Sequence, residues 1–270
     1  MRQFGGPVSE ARVIVVGNEK GGAGKSTVAV HLIAGLLHEG ARVGVIDLDL
    51  RQQTTGRFFS HRATWAAARD VALPEPVSVD PPTDVTSLET ALGDASERCD
   101  FVLVDTPGAD TELSRAAHQR ADLIITPMND SFVDFDVLGA VDPVSLDLLR
   151  PSLYAESVWE ARKTRAAQRA RSIDWVVLRN RLASVEPRNR KRVDERLNAL
   201  ARRVGFRTMS GLRDRVIYRE LFPFGLTVAD LSARVKPIPV SMGHIAARQE
   251  LRVLMWELGL LAAPPAVAAE

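Results

Sequence analysis

Between Val13 and Leu37 an apolar run, a glycine-rich turn and a second apolar stretch follow one another without a gap, and this succession constrains the fold more than any other feature of the chain. Val13-Ile14-Val15-Val16 reads as a buried strand, Gly17 to Thr27 reads G-N-E-K-G-G-A-G-K-S-T, and Val28 to Leu37 continues as a helix. Such a turn points successive backbone N–H groups inward and adds the positive end of a helix dipole, which together form an anion cradle. Glycines let the backbone close on a phosphate without side chains in the way. Gly21, Gly22, Ala23, Gly24, Lys25, Ser26 and Thr27 are therefore the candidate nucleotide-binding residues, with Lys25 reaching the outer phosphates and the Ser26 hydroxyl ligating Mg²⁺. The competing reading is a ligand-free strand-to-helix turn. The spacing, the Lys25-Ser26 pair and the preceding strand all speak against it.

Short apolar runs recur downstream, at Val43–Asp47, Phe101–Asp105, Leu123–Thr126, Trp175–Leu178 and, more weakly, Gly205–Met209. Helical patterns lie between them, near Ser26–His38, Leu113–His118, Asp134–Leu149, Arg188–Val204 and Ile245–Leu258. Near-continuous apolar strands alternating with helices predict an α/β fold, a mostly parallel sheet covered on both faces. Ligands of such sheets sit at the carboxyl ends of the strands, where the motifs here fall. One domain over residues 11–261 is expected, with residues 1–10 and 262–270 as flexible ends. The proline-rich stretch Ala72–Asp84 reads as a surface excursion.

Phe101-Val-Leu-Val-Asp105-Thr-Pro-Gly108 ends an apolar strand in a carboxylate. Mg²⁺ takes hard oxygen ligands and keeps several waters, so Asp105 is the candidate for holding its water shell. Asp47-Leu48-Asp49 ends the second strand in the same way and brings Asp49 within reach of the phosphate loop.

The chain has 270 residues, 46% hydrophobic and 26% charged, enough for one large α/β domain. No run approaches the ~20 apolar residues needed to span a bilayer, and Met1 to Glu10 has no signal-peptide pattern, so a cytoplasmic location is expected. The single cysteine, Cys99, rules out a disulfide framework and a cysteine metal site. Net charge is only +1, yet residues 151–219 carry 18 Lys+Arg against 7 Asp+Glu, while the other 201 residues carry 17 against 27. A net of +11 set against −10 points to a polyanion-facing surface. Arg188, Arg190, Lys191, Arg192, Arg196, Arg202 and Arg203 crowd one helical stretch, and Arg213, Arg215 and Arg219 follow. These are the candidate DNA-binding residues. They fit phosphate rather than base edges, so the expected binding is nonspecific and salt-sensitive. A solvated helix face paired to Asp194 and Glu195 is the alternative, and the run from Arg162 to Arg171 can be read either way.

The phosphate loop has a second lysine, Lys20, and Glu19 where a glycine is usual. The resulting K-G-G-x-G-K-S pattern resembles the deviant Walker A loop of the ParA/MinD family of ATPases. Longer strings resemble the MipZ branch of that family: V-I-D-L-D-L-R-Q from Val45, T-P-M-N-D-S-F-V-D-F-D from Thr126, D-W-V-V-L-R-N-R-L-A from Asp174 and G-L-R-D-R-V-I-Y-R-E-L-F-P-F-G-L-T from Gly211. They span most of the chain outside residues 70–98. The resemblance implies that Lys20 reaches the partner's nucleotide in an ATP-sandwich homodimer. It implies that Asp49 positions the attacking water near the metal, and that Asn180 and Asp214 lie at the base. Leu212 stands where the family has a proline before Asp214. Lys20, Lys25 and Asp49 are thus the candidate catalytic residues, Ser26, Asp49 and Asp105 the candidate metal residues, and ATP and Mg²⁺ the expected cofactors. The implied function is a switch whose ATP-bound dimer binds DNA nonspecifically, meets ParB and inhibits polymerisation of FtsZ, with nucleoid association and enrichment toward the cell poles. Rival readings are a ParA that partitions DNA, a MinD-like membrane ATPase and a metabolic ATPase of the dethiobiotin-synthetase kind. The charge-neutral helix near Ile245–Leu258 argues against a membrane partner. Phe222-Pro-Phe-Gly225 fits either the adenine surroundings or the core.

Overall fold

The computed structural model describes residues 10–129, 132–142, 148–168, 171–180, 187–232, 234–235, 237–239 and 241–262. The expected flexible ends at 1–9 and 263–270 lie outside these.

The chain runs β1 (Arg12–Val16), α1 (Lys25–His38), β2 (Val43–Asp47), α2 (Thr54–Arg69), β3 (Val77–Ser78), α3 (Val85–Arg98), β4 (Phe101–Asp105), α4 (Glu112–Arg120) and β5 (Leu123–Asn129). A 3₁₀ segment at Phe132–Val137 leads to β6 (Gly139–Val141) and β7 (Leu148–Pro151). Then come α5 (Leu153–Ala167), β8 (Asp174–Asn180), α6 (Pro187–Val204), β9 (Arg207–Ser210), α7 (Val216–Leu221) and α8 (Met242–Glu257). Seven strands form one sheet in the order β3-β2-β4-β1-β5-β8-β9, every pair parallel. β1 is central, so the loop leaving it opens between the two halves of the sheet. That is the crevice where a parallel sheet receives its ligand.

The strands are apolar at nearly every position because both faces are covered. On one face Ile14, Val16, Leu103 and Ile125 pack against Val28, Leu32 and Leu36 of α1 and Leu251 and Met255 of α8. On the other, Val15, Val104, Ile124 and Val177 meet Leu88 and Leu92 of α3, Ala117 of α4, Val158 of α5 and Leu197 and Leu200 of α6. α1 is buried along almost its whole length. Gly35 lets Met255 of α8 lie directly on it, since a Cβ there would overlap the methionine sulfur.

Predicted and observed elements agree for β1, β2, β4, β5, β8, α1, α4, α6 and α8 within a few residues, and β9 starts two residues later than expected. Among the described residues of the range Asp134–Leu149, at 134–142 and 148–149, the expected helix does not form. Its described residues are a 3₁₀ turn followed by β6, which pairs antiparallel with β7. Val133, Val137 and Val141 are stiff at χ1, Gly139 carries the full backbone entropy cost, and Pro143 has no N–H to give a helix. Three helices that were not expected, α2, α3 and α5, fill the intervals 54–69, 85–98 and 153–167. Within the proline-rich excursion only Val77–Ser78 pairs, on the edge of the sheet.

Candidate nucleotide-binding site

The loop from Gly17 to Gly24 leaves the carboxyl end of β1 and is held from below, from the side and from above. Below it, the Tyr154 hydroxyl donates to the Gly17 carbonyl at 2.8 Å. Thr126 Oγ1 lies 2.7 Å from that hydroxyl and accepts the Trp175 indole N–H at 2.9 Å. His118 stacks edge-on against Tyr154 with centroids 5.6 Å apart. Burial lowers the His118 pKa to about 4, so the imidazole is neutral. Gly17 is required here, because a Cβ would stand 2.8 Å from His118 Nε2.

From the side, Asn18 is buried, donates its amide to the Pro127 carbonyl at 2.5 Å and accepts the Lys20 N–H at 2.7 Å. One side chain thus shapes the bend that carries Lys20. Gly22 and Gly24 take φ of +76° and +88°, the left-handed region that favours glycine. From above, Gly108 of the Thr106-Pro107-Gly108 turn covers the loop, and a Cβ on it would lie 3.3 Å from Lys25 Nζ.

These pieces enclose a cleft of ≈ 630 Å³ lined by Gly21, Gly22, Gly24, Lys25, Ser26, Thr27, Asp49, Arg51, Gln52, Thr54 and residues 106–109. The volume and the crowd of loop amides suit a nucleotide phosphate chain. Lys25 Nζ donates to the Lys20 carbonyl at 3.2 Å. Burial lowers the Lys25 pKa, opposed by the charges of Asp105 and Asp49. Ala23 is buried within the loop beneath the cleft.

Asp105 ends β4 fully buried. One oxygen, Oδ2, accepts the Thr55 hydroxyl at 2.6 Å. The other, Oδ1, is buried without a partner, with the Ser26 hydroxyl beside the carboxylate. Burial raises its pKa to about 7 against the opposing Thr55 hydrogen bond, with Asp47 adding to the rise. A buried oxygen with no donor, next to a serine hydroxyl and the phosphate cradle, fits a hydrated Mg²⁺.

Asp47 and Asp49 do different work. Asp47 accepts the Thr55 and Gly56 N–H groups on Oδ2 at 3.0 and 3.2 Å and the Asp49 N–H on Oδ1 at 3.0 Å. It caps α2 from eight residues upstream. Asp49 lines the cleft, accepts the Gln52 N–H on Oδ1 at 3.0 Å, and with its carbonyl holds Gln53, which sits at φ +45°.

Asn180 ends β8, buried against the phosphate loop, and donates to the Ala23 carbonyl at 3.2 Å. Asp214 is half-exposed and pairs with Arg219 at 3.2 Å. Phe222 packs on Phe58 of α2, ring centroids 5.2 Å apart, so the Phe222–Gly225 turn belongs to the packing between α2 and the 3₁₀ turn that follows α7.

The basic residues divide. Arg188, Arg190, Lys191, Arg192 and Arg196 lie on α6, and their side chains are outside the described set. Arg202 and Arg203 are exposed at its end. Arg215 forks onto Glu250 of α8 at 3.1 and 2.5 Å, and Arg213 reaches the same carboxylate at 3.3 Å. In the second basic run Arg162 donates to the Gly205 carbonyl, Lys163 pairs with Glu160 and Arg165 pairs with Asp122, so much of it is internal structure. Arg169 lies outside the described residues. Thr55 and Tyr154 carry no motif that would single them out in the sequence, and Asn18, though inside the loop segment, carries no assigned role there. Among the described residues no helix is long and apolar enough to cross a membrane.

Comparison with known proteins agrees with this geometry. A stretch of 126 residues is 33% identical to a Protein ParA from Rhizobium radiobacter, covering 45% of this chain and 50% of that protein. Over 228 residues the chain is 28% identical to a maintenance of carboxysome distribution protein A from Halothiobacillus neapolitanus, covering 84% and 90%. In fold it is similar to a McdA variant from Cyanothece solved as an ATP complex, with a TM-score of 0.64 at 17% identity over 95% of this chain and 99% of that one. The family model described as ATPase MipZ matches residues 12–262, nearly the whole described chain, and the chain belongs to that family of ParA/MinD-type ATPases.

Proposed function

We propose that this ATPase is a dimerising switch that binds DNA nonspecifically in its ATP-bound form, meets ParB, and restrains FtsZ polymerisation so as to position division. The observation that carries this reading is the family match over residues 12–262, supported by Lys20 in the phosphate loop, whose carbonyl accepts Lys25 Nζ, and by the basic α6. α6 starts beyond the carboxyl end of β8, the sheet end that also holds the phosphate loop. An ATP-locked pair would therefore bring two basic helices to bear together. Linking two weak contacts makes the second effectively intramolecular and raises apparent affinity ~10²–10⁴-fold.

In the hydrolytic cycle the loop amides and Lys25 would bind and orient the β- and γ-phosphates, and Ser26 and Asp105 would be the residues that hold Mg²⁺. The metal, when bound, neutralises developing charge on the transferred phosphoryl group. Asp49 orients the attacking water, and Gly108 covers the loop to keep bulk water out. Lys20 from the partner completes the charge at the phosphates. The similarity to ParA and to a carboxysome-distribution protein supports a second reading, in which the same switch positions a DNA or protein cargo. Both share the dimer and the DNA.

The experiment is a duplex titration with and without a nonhydrolysable ATP analogue across a salt series, for wild type and Lys20→Ala. Tight, salt-sensitive binding only with the analogue, lost in Lys20→Ala, is the expected result. Binding indifferent to nucleotide would overturn it. FtsZ polymerisation assayed with the ATP-bound protein separates the two readings.

A further inference from the structure

Thr55 lies three residues beyond the last residue of the D-L-D-L-R-Q string, in no motif, and its side chain is fully buried. Its position on the first turn of α2 gives it two contacts, the first shared with the neighbouring Gly56 N–H and the second made by its own side chain. Its N–H reaches Asp47 Oδ2 at 3.0 Å, and its hydroxyl reaches Asp105 Oδ2 at 2.6 Å. Asp47 also receives the Asp49 N–H on its other oxygen. An unbroken hydrogen-bonded chain therefore runs from Asp49 through Asp47 and Thr55 to Asp105. This contact commits Oδ2 to the Thr55 hydroxyl, while Oδ1 is buried without a partner on a carboxylate that the Ser26 hydroxyl also approaches.

We propose that Thr55 is a positioning residue for the metal side of the site: its hydroxyl fixes the Asp105 carboxylate so that Oδ1 is presented to the Mg²⁺ shell, and it ties that carboxylate to the Asp49 strand end. Carboxylates that serve metals are held by such outer partners, whose removal typically costs ~10–100-fold in affinity or activity. The rival is a core hydroxyl that has simply found the nearest acceptor. The two differ in what a valine should do. Valine keeps the shape and removes only the donor, so a packing role predicts little change in metal dependence.

The inference rests on the Mg²⁺-ATPase reading of the cleft and not on the DNA, ParB or FtsZ reading, which the duplex titration tests separately. The test uses the full chain as wild type, Thr55→Val and Thr55→Ser. Affinity for a nonhydrolysable ATP analogue is measured by calorimetry in excess Mg²⁺ and in EDTA, alongside kcat and the melting temperature of the nucleotide-free protein. Wild type is expected to gain about tenfold or more in affinity from Mg²⁺. Thr55→Val should lose most of that gain while its affinity in EDTA stays within about twofold of wild type, and Thr55→Ser should recover it. A valine variant with the full Mg²⁺ gain overturns the proposal, as does a serine variant that behaves like valine. A wild type with no Mg²⁺ gain overturns the metal reading and this proposal with it. Should Thr55→Val fail to fold, Thr55→Ala is read against the same thresholds, with its melting temperature reporting lost packing.

Discussion

The Asn180 amide occupies the space a Cβ on Gly24 would need and donates to the Ala23 carbonyl beside it. The end of β8 thereby braces the phosphate loop. Gly24 also sits at φ +88°, so an alanine there meets a steric conflict and a strained backbone together. Gly24→Ala should lower ATP affinity by about 100-fold, since left-handed strain and a displaced loop each cost of order 1–3 kcal/mol. Asn180→Ala should cost about tenfold, the worth of one buried hydrogen bond near 1.4 kcal/mol. Calorimetric titration of ATP checks both. An alanine at 24 with wild-type affinity would mean that the loop seats phosphate in another shape.

Arg62 and Asp230 form an ion pair at 2.6 Å with neither side chain exposed. Arg62 also donates to the carbonyls of Pro74 and Gly225, and Asp230 accepts from His38 and from the Thr227 N–H and hydroxyl. This hub ties α2 to the end of α1 and to the turn at 225–230. Removing one partner strands a buried charge, so Arg62→Ala should destabilise by about 3–5 kcal/mol. The Arg62→Met, Asp230→Leu pair should recover much of that. Burial pushes the Asp230 pKa up, but the His38 and Arg62 hydrogen bonds and the Arg62 charge overrule it and hold the carboxyl well below its usual range. A depressed folded pKa stabilises above the unfolded value and the benefit fades as pH falls. Wild type should therefore lose stability below about pH 4 more steeply than the double variant. Chemical denaturation between pH 3 and 7 measures the difference.

Asp105 has the opposite sign. Burial raises its pKa from 3.8 to about 7, so the folded protein holds that proton more tightly than the unfolded chain. Its contribution is full below the unfolded value and is lost as pH rises through about 7. The nucleotide-free protein therefore carries a buried carboxylate at a cost at pH 8. Asp105→Asn, which still accepts the Thr55 hydroxyl, should raise the pH 8 stability of the nucleotide-free protein by about 2–4 kcal/mol at 1.36 kcal/mol per pKa unit. The same variant should hydrolyse ATP at under about a hundredth of the wild-type rate. The gain should vanish at pH 4. Melting curves at the two pH values, with turnover measured alongside, decide the matter, and a variant less stable than wild type at pH 8 would refute the assignment.

The phosphate loop, the three strand-end carboxylates and most of the central sheet could be read from the sequence because each is local. Val13–Val16 and Phe101–Asp105 are uninterrupted apolar runs, and the loop's glycines follow the first directly. Part of what was missed depends on partners far along the chain. α3 and α5 do carry local signs: Asp84 caps the first with Ser87, and Ser152 caps the second on Ala155 N–H. α2 carries none. Its N-cap is Gln53 in a left-handed conformation with no side-chain cap, and the capping oxygen comes from Asp47. The roles of Asn18 and Tyr154 depend on β5, β8 and α5, which bring Pro127 to Asn18 and Thr126 and Trp175 to the Tyr154 contact network. The failed helix over Asp134–Leu149 shows the reverse, a spacing that looked helical with Gly139 and Pro143 inside it.

The arginines proposed for DNA should separate into two groups under mutation. Arg215 is mostly covered and forks onto Glu250, so it holds the start of α7 to α8. Arg215→Ala should cost about 1 kcal/mol of stability, as expected for a well-formed bidentate pair, with little effect on the salt dependence of DNA binding. Arg202 is exposed at the end of α6, and the residues at 188, 192 and 196 recur along that helix at intervals of four. Each phosphate contact removed from a duplex-bound protein should lower the slope of log K against log salt by about 1, and a symmetric dimer loses two contacts per substitution. Arg188→Ala and Arg192→Ala together should therefore lower the slope by about 3–4, without moving the melting temperature. Filter binding of the analogue-loaded protein between low and moderate salt gives the slopes directly. If Arg215→Ala flattens the slope as much as the α6 pair does, the contact surface lies over α7 and α8 instead, and α6 is only a solvated face.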